Sequence, residues 1–374
     1  MRWMDAETRQ KAETDPLWKA LTHSLAFWAV VVPVWMVISN AMEHQFAFDV
    51  HFAFVPAARA VLHGASPYSG VNSHAVKEGI AFLYPPLGAY LFAPFTVLPT
   101  VVAGILATVL VAATVPLTLW VLGIRDWRCY AVAFIWIPTI AAIQSANVTL
   151  PMVLGLALVW RYRNKAWVVA LVGGFIVALK LFFWPLLVWL VATRRYRTAA
   201  LTAAASLAFV FLPWAGIGFA GLGDYIHLLR VVARQEGAES YSLAALVHYA
   251  VPSWTAAVAV ETLVGVGVLV LAFVAGRRGR DRDAFALVIL AMLVFTPLLE
   301  IHYFAVLLVV VALYRPRFGA AWLAPLLIWG ATEANNGTGL NRVHVFVVVA
   351  ATLVLAMSDW RPKLPSRGLR PEAA

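Results

Sequence analysis

Residues 24–42 carry no charged side chain, and they are the first of twelve apolar segments that follow one another as far as residue 357. Such a chain cannot hide all of its apolar surface in one water-soluble core. Its main solvent must be the bilayer, where each helical crossing takes ~20 apolar residues. The segments are 24–42, 101–124, 129–143, 148–160, 166–180, 182–194, 198–214, 252–276, 284–296, 302–314, 319–332 and 341–357. Charged residues make up only 12% of the chain, about half the share a soluble domain carries. The apolar runs are continuous, not alternating, which argues against a β-barrel. The expected fold is an all-α polytopic membrane protein of about twelve transmembrane helices, a single domain over residues 1–374. Several segments fall short of ~20 residues, which fits a cavity open to one side or a locally thinned membrane.

The net charge of +10 invites a nucleic-acid reading, but the places of the charges do not. Of 28 lysines and arginines, 22 fall in alternate short loops or in the tails. Basic residues gather on the cytoplasmic side of membrane proteins, so the tails 1–23 and 358–374 and those loops are assigned to the cytoplasm. The first residues are polar, so segment 24–42 reads as an uncleaved anchor, not a signal peptide. The assignment holds only if residues 84–98, with their three prolines, do not cross the membrane. They then belong to a first outer loop, 43–100. Within it, residues 52–63 read as a helix lying along the membrane, with Phe52, Val55 and Leu62 towards lipid and Arg59 and His63 towards water. The lone Cys129 rules out an internal disulfide.

Groups able to move protons are concentrated on the outer side. Eight of nine histidines are assigned to that side, and nine acidic residues lie on it or within the apolar segments: Glu43, Asp49, Glu78, Asp224, Glu236, Glu239, Glu261, Glu300 and Glu333. Asp49 stands at the start of the membrane-surface helix. Either it caps that helix, or it acts as general base on a bound hydroxyl. With His51 it forms Asp-x-His, a possible metal pair, although two ligands of mixed type are weak evidence for a metal site. Lys180 lies at membrane depth, where a charge is a functional hypothesis by default. It either snorkels to headgroups or opposes a lipid phosphate. Glu300 and His302 interrupt a long apolar run and should face a cavity; His302 could hold a phosphate or a sugar hydroxyl. Gln144 and Asn147 mark an outward turn where amides could meet sugar hydroxyls or cap helices. The Asn336-Gly337-Thr338 sequon carries no weight.

Several of these stretches together resemble a known family. They are Asp49 ahead of Pro56-Ala57-Ala58-Arg59-Ala60-Val61-Leu62-His63-Gly64-Ala65-Ser66-Pro67-Tyr68, then Phe82-Leu83-Tyr84-Pro85-Pro86-Leu87, then Gln144 with Asn147, and Leu179-Lys180 ahead of Pro185. The chain resembles the glycosyltransferase C superfamily and, within it, glycosyltransferase family 87, the polyprenyl-phosphate-mannose-dependent α-mannosyltransferases. The resemblance implies a GT-C-type bundle in a bacterial plasma membrane, with an active site outside the cytoplasm and both termini inside. It implies inverting transfer of mannose from polyprenyl-phosphate-mannose to a hydroxyl of a lipid-linked glycan, without metal or other cofactor. It carries the general-base role onto Asp49 and a donor-phosphate or catalytic role onto His302. Lys180, Arg59, Tyr84, Gln144, Asn147 and Glu300 are the candidate substrate contacts. The chain departs from the family pattern at Thr296-Pro297 with the single His302, and at Ser240-Tyr241-Ser242-Leu243. A second reading from a different class is a transporter or flippase of lipid-linked sugars, which would use the same cavity and need no base.

Overall fold

A chain inside a bilayer must satisfy its backbone polar groups within itself, and helices do so locally. The computed structural model describes residues 16–42, 46–331 and 339–358. Every element among them is helical and none is a strand. In chain order the helices are α1 (Pro16–Met42), α2 (Val55–Leu62), α3 (Pro86–Leu91), α4 (Thr100–Val121), α5 (Trp127–Ile135), α6 (Ile137–Gln144), α7 (Thr149–Arg161) and α8 (Ala166–Leu179). They continue as α9 (Leu186–Ala192), α10 (Tyr196–Gly216), α11 (Leu222–Gln235), α12 (Leu243–Ala250), α13 (Trp254–Arg277), α14 (Asp281–Val294), α15 (Leu307–Tyr314) and α16 (Gly339–Met357). Short 3-10 and single-turn pieces join them. Residues 1–15 and 359–374, Glu43, His44, Glu333 and the Asn336 sequon lie outside the described residues.

Helical structure stands at all twelve apolar segments. Four helices, α4, α10, α13 and α16, are long and apolar enough to cross a membrane by length and composition. Apart from α1, which has 27 residues, the rest are shorter, and several breaks have an identifiable cause. Proline disfavours helical conformation in the residue before it and removes a donor. Segment 129–143 is therefore two helices, broken at Trp136 (ψ 127°) just ahead of Pro138. One freed group, the Ile135 carbonyl at the end of α5, accepts from the Trp329 indole at 2.9 Å. Lys180 is extended (φ −141°, ψ 108°), and α9 starts only after Pro185. Residues 84–98 hold the six-residue α3 and a five-residue 3-10 turn. Six helical residues rise ~9 Å, well short of the ~30 Å hydrocarbon core, so this stretch does not cross as a helix.

The first loop differs in detail from the sequence reading. It enters as a π-helical turn, Asp49–Phe54, that runs into α2. Phe52, Leu62, Arg59 and His63 are exposed, but Val55 is buried with Ala57, Ala58 and Val61. The apolar side of α2 therefore packs inward on α3 instead of covering lipid. Small residues spaced at helical intervals allow that approach where bulkier ones would hold the helix off.

α8 and α10 pack against each other at close range. A Cβ built on Gly174 would sit 2.6 Å from Ala205 Cβ and 3.0 Å from the Ser206 backbone nitrogen. Backbone cannot yield as a flexible side chain can, so Gly174→Ala must push the helices apart. Overpacking of this kind costs about 1–3 kcal/mol. The expected result is a melting temperature several degrees lower in detergent. Gly267→Ala, where a Cβ meets nothing within 4 Å, should melt like the wild type and serves as the control.

The bundle has two polar ends. At one, Asp281 at the start of α14 accepts from Arg195 (2.8 Å) and the Trp189 indole (2.8 Å) and lies 3.3 Å from Arg163, tying three connections together. The other end holds the cavity described below, reached just past the last residue of α14. A 14-residue helix separates the two by ~21 Å. At the cavity end, buried Arg342 of α16 donates to the carbonyls of Ala238 (2.7 Å), Ser240 (2.9 Å) and Ala245 (2.8 Å). Glu261 of α13 accepts from the Ala244 N–H at 3.0 Å. These two charged groups fix residues 238–245, and the Tyr241 N–H in turn donates to the Leu299 carbonyl at 2.7 Å. In the departure at Ser240–Leu243, Ser242 caps α12 and Tyr241 is fully buried.

Candidate active site

The turn after α6 sets the geometry. Ala146 is left-handed (φ 53°), the Ala146 N–H bonds the Ile143 carbonyl, and the Asn147 N–H bonds the Ala142 carbonyl at 2.8 Å. This ends the helix in a Schellman-type cap and swings Asn147 away from Gln144. The first loop then docks on the turn by main chain. The Ala47 N–H donates to the Gln144 carbonyl (2.8 Å) and the Asp49 N–H to the Ser145 carbonyl (3.2 Å). Asp49 opens the π-helical turn, but its side chain caps nothing; its carboxylate accepts from the Asn147 amide instead.

Asn147 is held from behind. Its Oδ1 accepts both the Thr149 backbone N–H (2.8 Å) and the Thr149 hydroxyl (2.6 Å). The Thr149 hydroxyl accepts from Lys180 Nζ at 3.1 Å. The ammonium also lies 3.5 Å from the centroid of the Tyr303 ring and 5.7 Å from that of Tyr84. Lys180 is only 8% exposed, so it faces inward and does not snorkel. The extended residue between α8 and the following 3-10 turn aims it there.

These groups line one cavity of about 410 Å³, within the usual range for ligand sites. Asp49, Tyr84, Asn147, Lys180, Glu300 and His302 all face it, with Tyr303, Phe182, Trp184 and Tyr225 as aromatic wall. His302 Nδ1 is 3.3 Å from a Glu300 oxygen, and its Nε2 is buried without a hydrogen-bond partner. Two candidate contacts lie outside the lining. Arg59 is exposed on α2, and the Gln144 amide donates to the Met36 carbonyl of α1 at 3.4 Å. His51 also turns away: a Cβ on Gly104 of α4 would be 2.7 Å from its Nε2. The Asp49 and His51 side chains therefore do not form a joint ligand pair.

The sequence reading missed three site residues. Thr149 and Tyr303 carry no signal of their own, being one threonine and one aromatic among many. Glu236, which lines the cavity just past α11, is one of the outer acidic groups to which the sequence alone assigns no role. A signal was available: α11 is amphipathic, with Tyr225, Leu228 and Val232 buried and Asp224, His227, Arg230 and Arg234 exposed. Glu236 continues the buried side.

The cavity holds three carboxylates and, among the described residues lining it, Lys180 is the only lysine or arginine. Burial, and then the Glu300 charge, push the Asp49 carboxyl up from 3.8 to about 7, against the pull of the Asn147 amide and of Lys180. Burial with Glu300 and Glu239 nearby raises Glu236 to about 7. Burial also raises Glu300, with Lys180 opposing. A carboxyl titrating near neutral pH beside a fixed ammonium can take a proton from a bound hydroxyl while the cation faces an anion.

Comparison with known proteins gives one match. The model of glycosyltransferase family 87 matches residues 82–300, more than half of the chain. No curated protein and no solved structure matches. Tyr84, Gln144, Asn147, Lys180 and Glu300 fall within the matched residues, whereas Asp49, Arg59 and His302 fall outside them.

Proposed function

The chain belongs to glycosyltransferase family 87 and is a glycosyltransferase, and we propose that it transfers mannose from polyprenyl-phosphate-mannose to a hydroxyl of a lipid-linked glycan with inversion at the anomeric carbon. Family membership favours an enzyme over the transporter reading. The observation that carries the mechanism is the hydrogen-bonded series from Lys180 through Thr149 and Asn147 to Asp49 at one cavity wall.

Asp49 removes the proton of the acceptor hydroxyl. The acceptor oxygen attacks the anomeric carbon from the face opposite the phosphate and forms the new glycosidic bond. The bond from that carbon to the phosphate oxygen breaks, its electron pair leaves with the prenyl phosphate, and the proton remains on Asp49. A phosphate is already a good leaving group, so it needs a cation more than an acid. Lys180 supplies the cation, and His302 is placed to contact the same phosphate. One carboxylate suffices for this chemistry, unlike the acid–base pair of a glycosidase. Glu300 and Glu236 are left to accept hydrogen bonds from sugar hydroxyls, and the aromatic wall to stack on sugar faces.

The charge distribution supports a site outside the cytoplasm with both termini inside, and the family resemblance suggests the plasma membrane of a bacterium. The apolar lining beside the polar pole (Phe182, Leu181, Trp184, Phe295) suits the first isoprene units of the donor. The catalytic groups are all protein side chains, so no metal or other cofactor enters the scheme.

The test is a product analysis. Purified enzyme is given β-linked polyprenyl-phosphate-mannose or its glucose counterpart, with a mannosylated lipid acceptor. The expected product is an α-mannoside with free prenyl phosphate, and no transfer of glucose. Glucose transfer would overturn the donor assignment, and a β-linked product the inversion.

A further inference from the structure

Thr149 opens α7 and is 1% exposed. Its hydroxyl serves two groups at once, accepting from Lys180 Nζ at 3.1 Å and donating to Asn147 Oδ1 at 2.6 Å. Its backbone N–H donates to the same Oδ1 at 2.8 Å. With two donors on Oδ1, the amide nitrogen of Asn147 must point the other way, and there it donates to Asp49 Oδ2. Every donor in this series points towards the carboxylate.

We infer that Thr149 is a positioning residue for glycosyl transfer, its hydroxyl strapping the Lys180 ammonium to the Asn147–Asp49 pair so that cation and base keep one register. This rests on the reading of Asp49 as the base. The strap does not carry a proton, because an amide stands in the middle of it. It acts by orientation and by aligned bond polarity, which strengthens hydrogen bonds in series in a poorly screened interior.

The competing explanation is that Thr149 is there to start α7. The local bonding speaks against it. The residue before the helix, Val148, makes no side-chain cap, and the Thr149 hydroxyl meets no backbone N–H. The turn is closed by the Asn147 side chain accepting from the Thr149 main chain, a bond that valine at 149 would keep. The hydroxyl is therefore spare to the helix and committed to Lys180 and Asn147.

The groups that face Asp49 are Glu300, Lys180 and Asn147, together with the phenols of Tyr84 and Tyr303. His302 reaches this set through Glu300. Loss of the Thr149 hydroxyl changes none of their identities. It frees Lys180 from one anchor and weakens its hold on the ionised form of Asp49. The Asp49 carboxyl must then become harder to ionise.

The experiment uses full-length Thr149→Val and Thr149→Ser. The titration of the Asp49 carboxyl is followed by infrared spectroscopy, with the band identified by its loss in Asp49→Asn. The valine variant should raise the midpoint by about half a pH unit or more. It should lower kcat/KM about tenfold, as expected for a lost bond to a charged group. The serine variant should restore both. A folded valine variant with wild-type midpoint and rate overturns the strap. Thr149→Ala removes the hydroxyl without adding bulk and reads the same quantities if valine unfolds the protein. Turnover by Asp49→Asn at the wild-type rate would instead remove the base assignment, while the infrared midpoint still decides the strap.

Discussion

Asp49→Asn lowers transfer about 10³-fold, the usual range for loss of a general base, with donor binding close to wild type. The substitution keeps the size and shape of the side chain. Its carbonyl oxygen can still accept from the Asn147 amide, so the docking of the first loop on the Asn147 turn survives. What is lost is the ability to take the acceptor's proton. The wild type should show the same requirement as a pH effect. Burial and Glu300 raise the Asp49 carboxyl to about 7. Below that value Asp49 is protonated and cannot act, so kcat/KM should fall about tenfold per pH unit on the acid side. Stability runs the opposite way. A carboxyl whose folded value lies above its unfolded value of 3.8 favours the folded state at low pH, and that contribution is lost as pH rises through about 7. At pH 8 Asp49→Asn should therefore melt no lower than the wild type. Rate and melting temperature moving in different directions would separate a catalytic loss from unfolding. A variant that transfers at the wild-type rate removes Asp49 from the chemistry.

Much of this was legible from local sequence. The apolar segments were readable because a charged side chain inside a bilayer is costly, so charges mark the breaks. The break ahead of Pro185 was readable because proline acts on its immediate neighbours, whereas 129–143 reads as one segment and its division at Trp136 came only with the structure. The position of Lys180 at a break followed from the same proline. Side-chain direction was harder. Gln144 and Asn147 share one turn and the same amide chemistry. Only the left-handed Ala146 between them decides that Asn147 reaches Asp49 while Gln144 reaches Met36. Arg59 matched its motif, yet it lies on the exposed side of α2 while Ala57 and Ala58 are buried. Thr149 and Tyr303 entered the site through contacts between residues far apart in the chain, those of Lys180 with the Thr149 hydroxyl and with the Tyr303 ring. No periodicity or spacing encodes such a pairing.

Lys180→Met should be the other severe lesion, and its signature differs from that of Asp49→Asn. Methionine fills much of the same volume and can still lie against the Tyr303 ring, so the aromatic wall stays packed. The cation is gone, and the described residues lining the cavity hold no other lysine or arginine to replace it. In the proposed reaction negative charge grows on the leaving phosphate as the glycosyl bond breaks. Loss of a fixed charge aimed at such an atom costs about 10²–10³ in kcat. The donor is anionic before it reacts, so its KM should rise as well, whereas Asp49→Asn should leave it nearly unchanged. A second effect follows from the carboxylates. Lys180 pulls both Asp49 and Glu300 towards the ionised form. Without it both become harder to ionise, and the acid limb of the rate profile should move to higher pH. The loss should therefore be larger at pH 6.5 than at pH 8.5. Arginine should not rescue it. A guanidinium is broad and planar, whereas this ammonium sits as a compact charge between one hydroxyl and one ring face, 3.1 Å from Thr149 Oγ1 and 3.5 Å from the Tyr303 ring centroid. A lysine that only served lipid headgroups would give a different result: Lys180→Met with kcat and donor KM within twofold of wild type, and an unmoved acid limb.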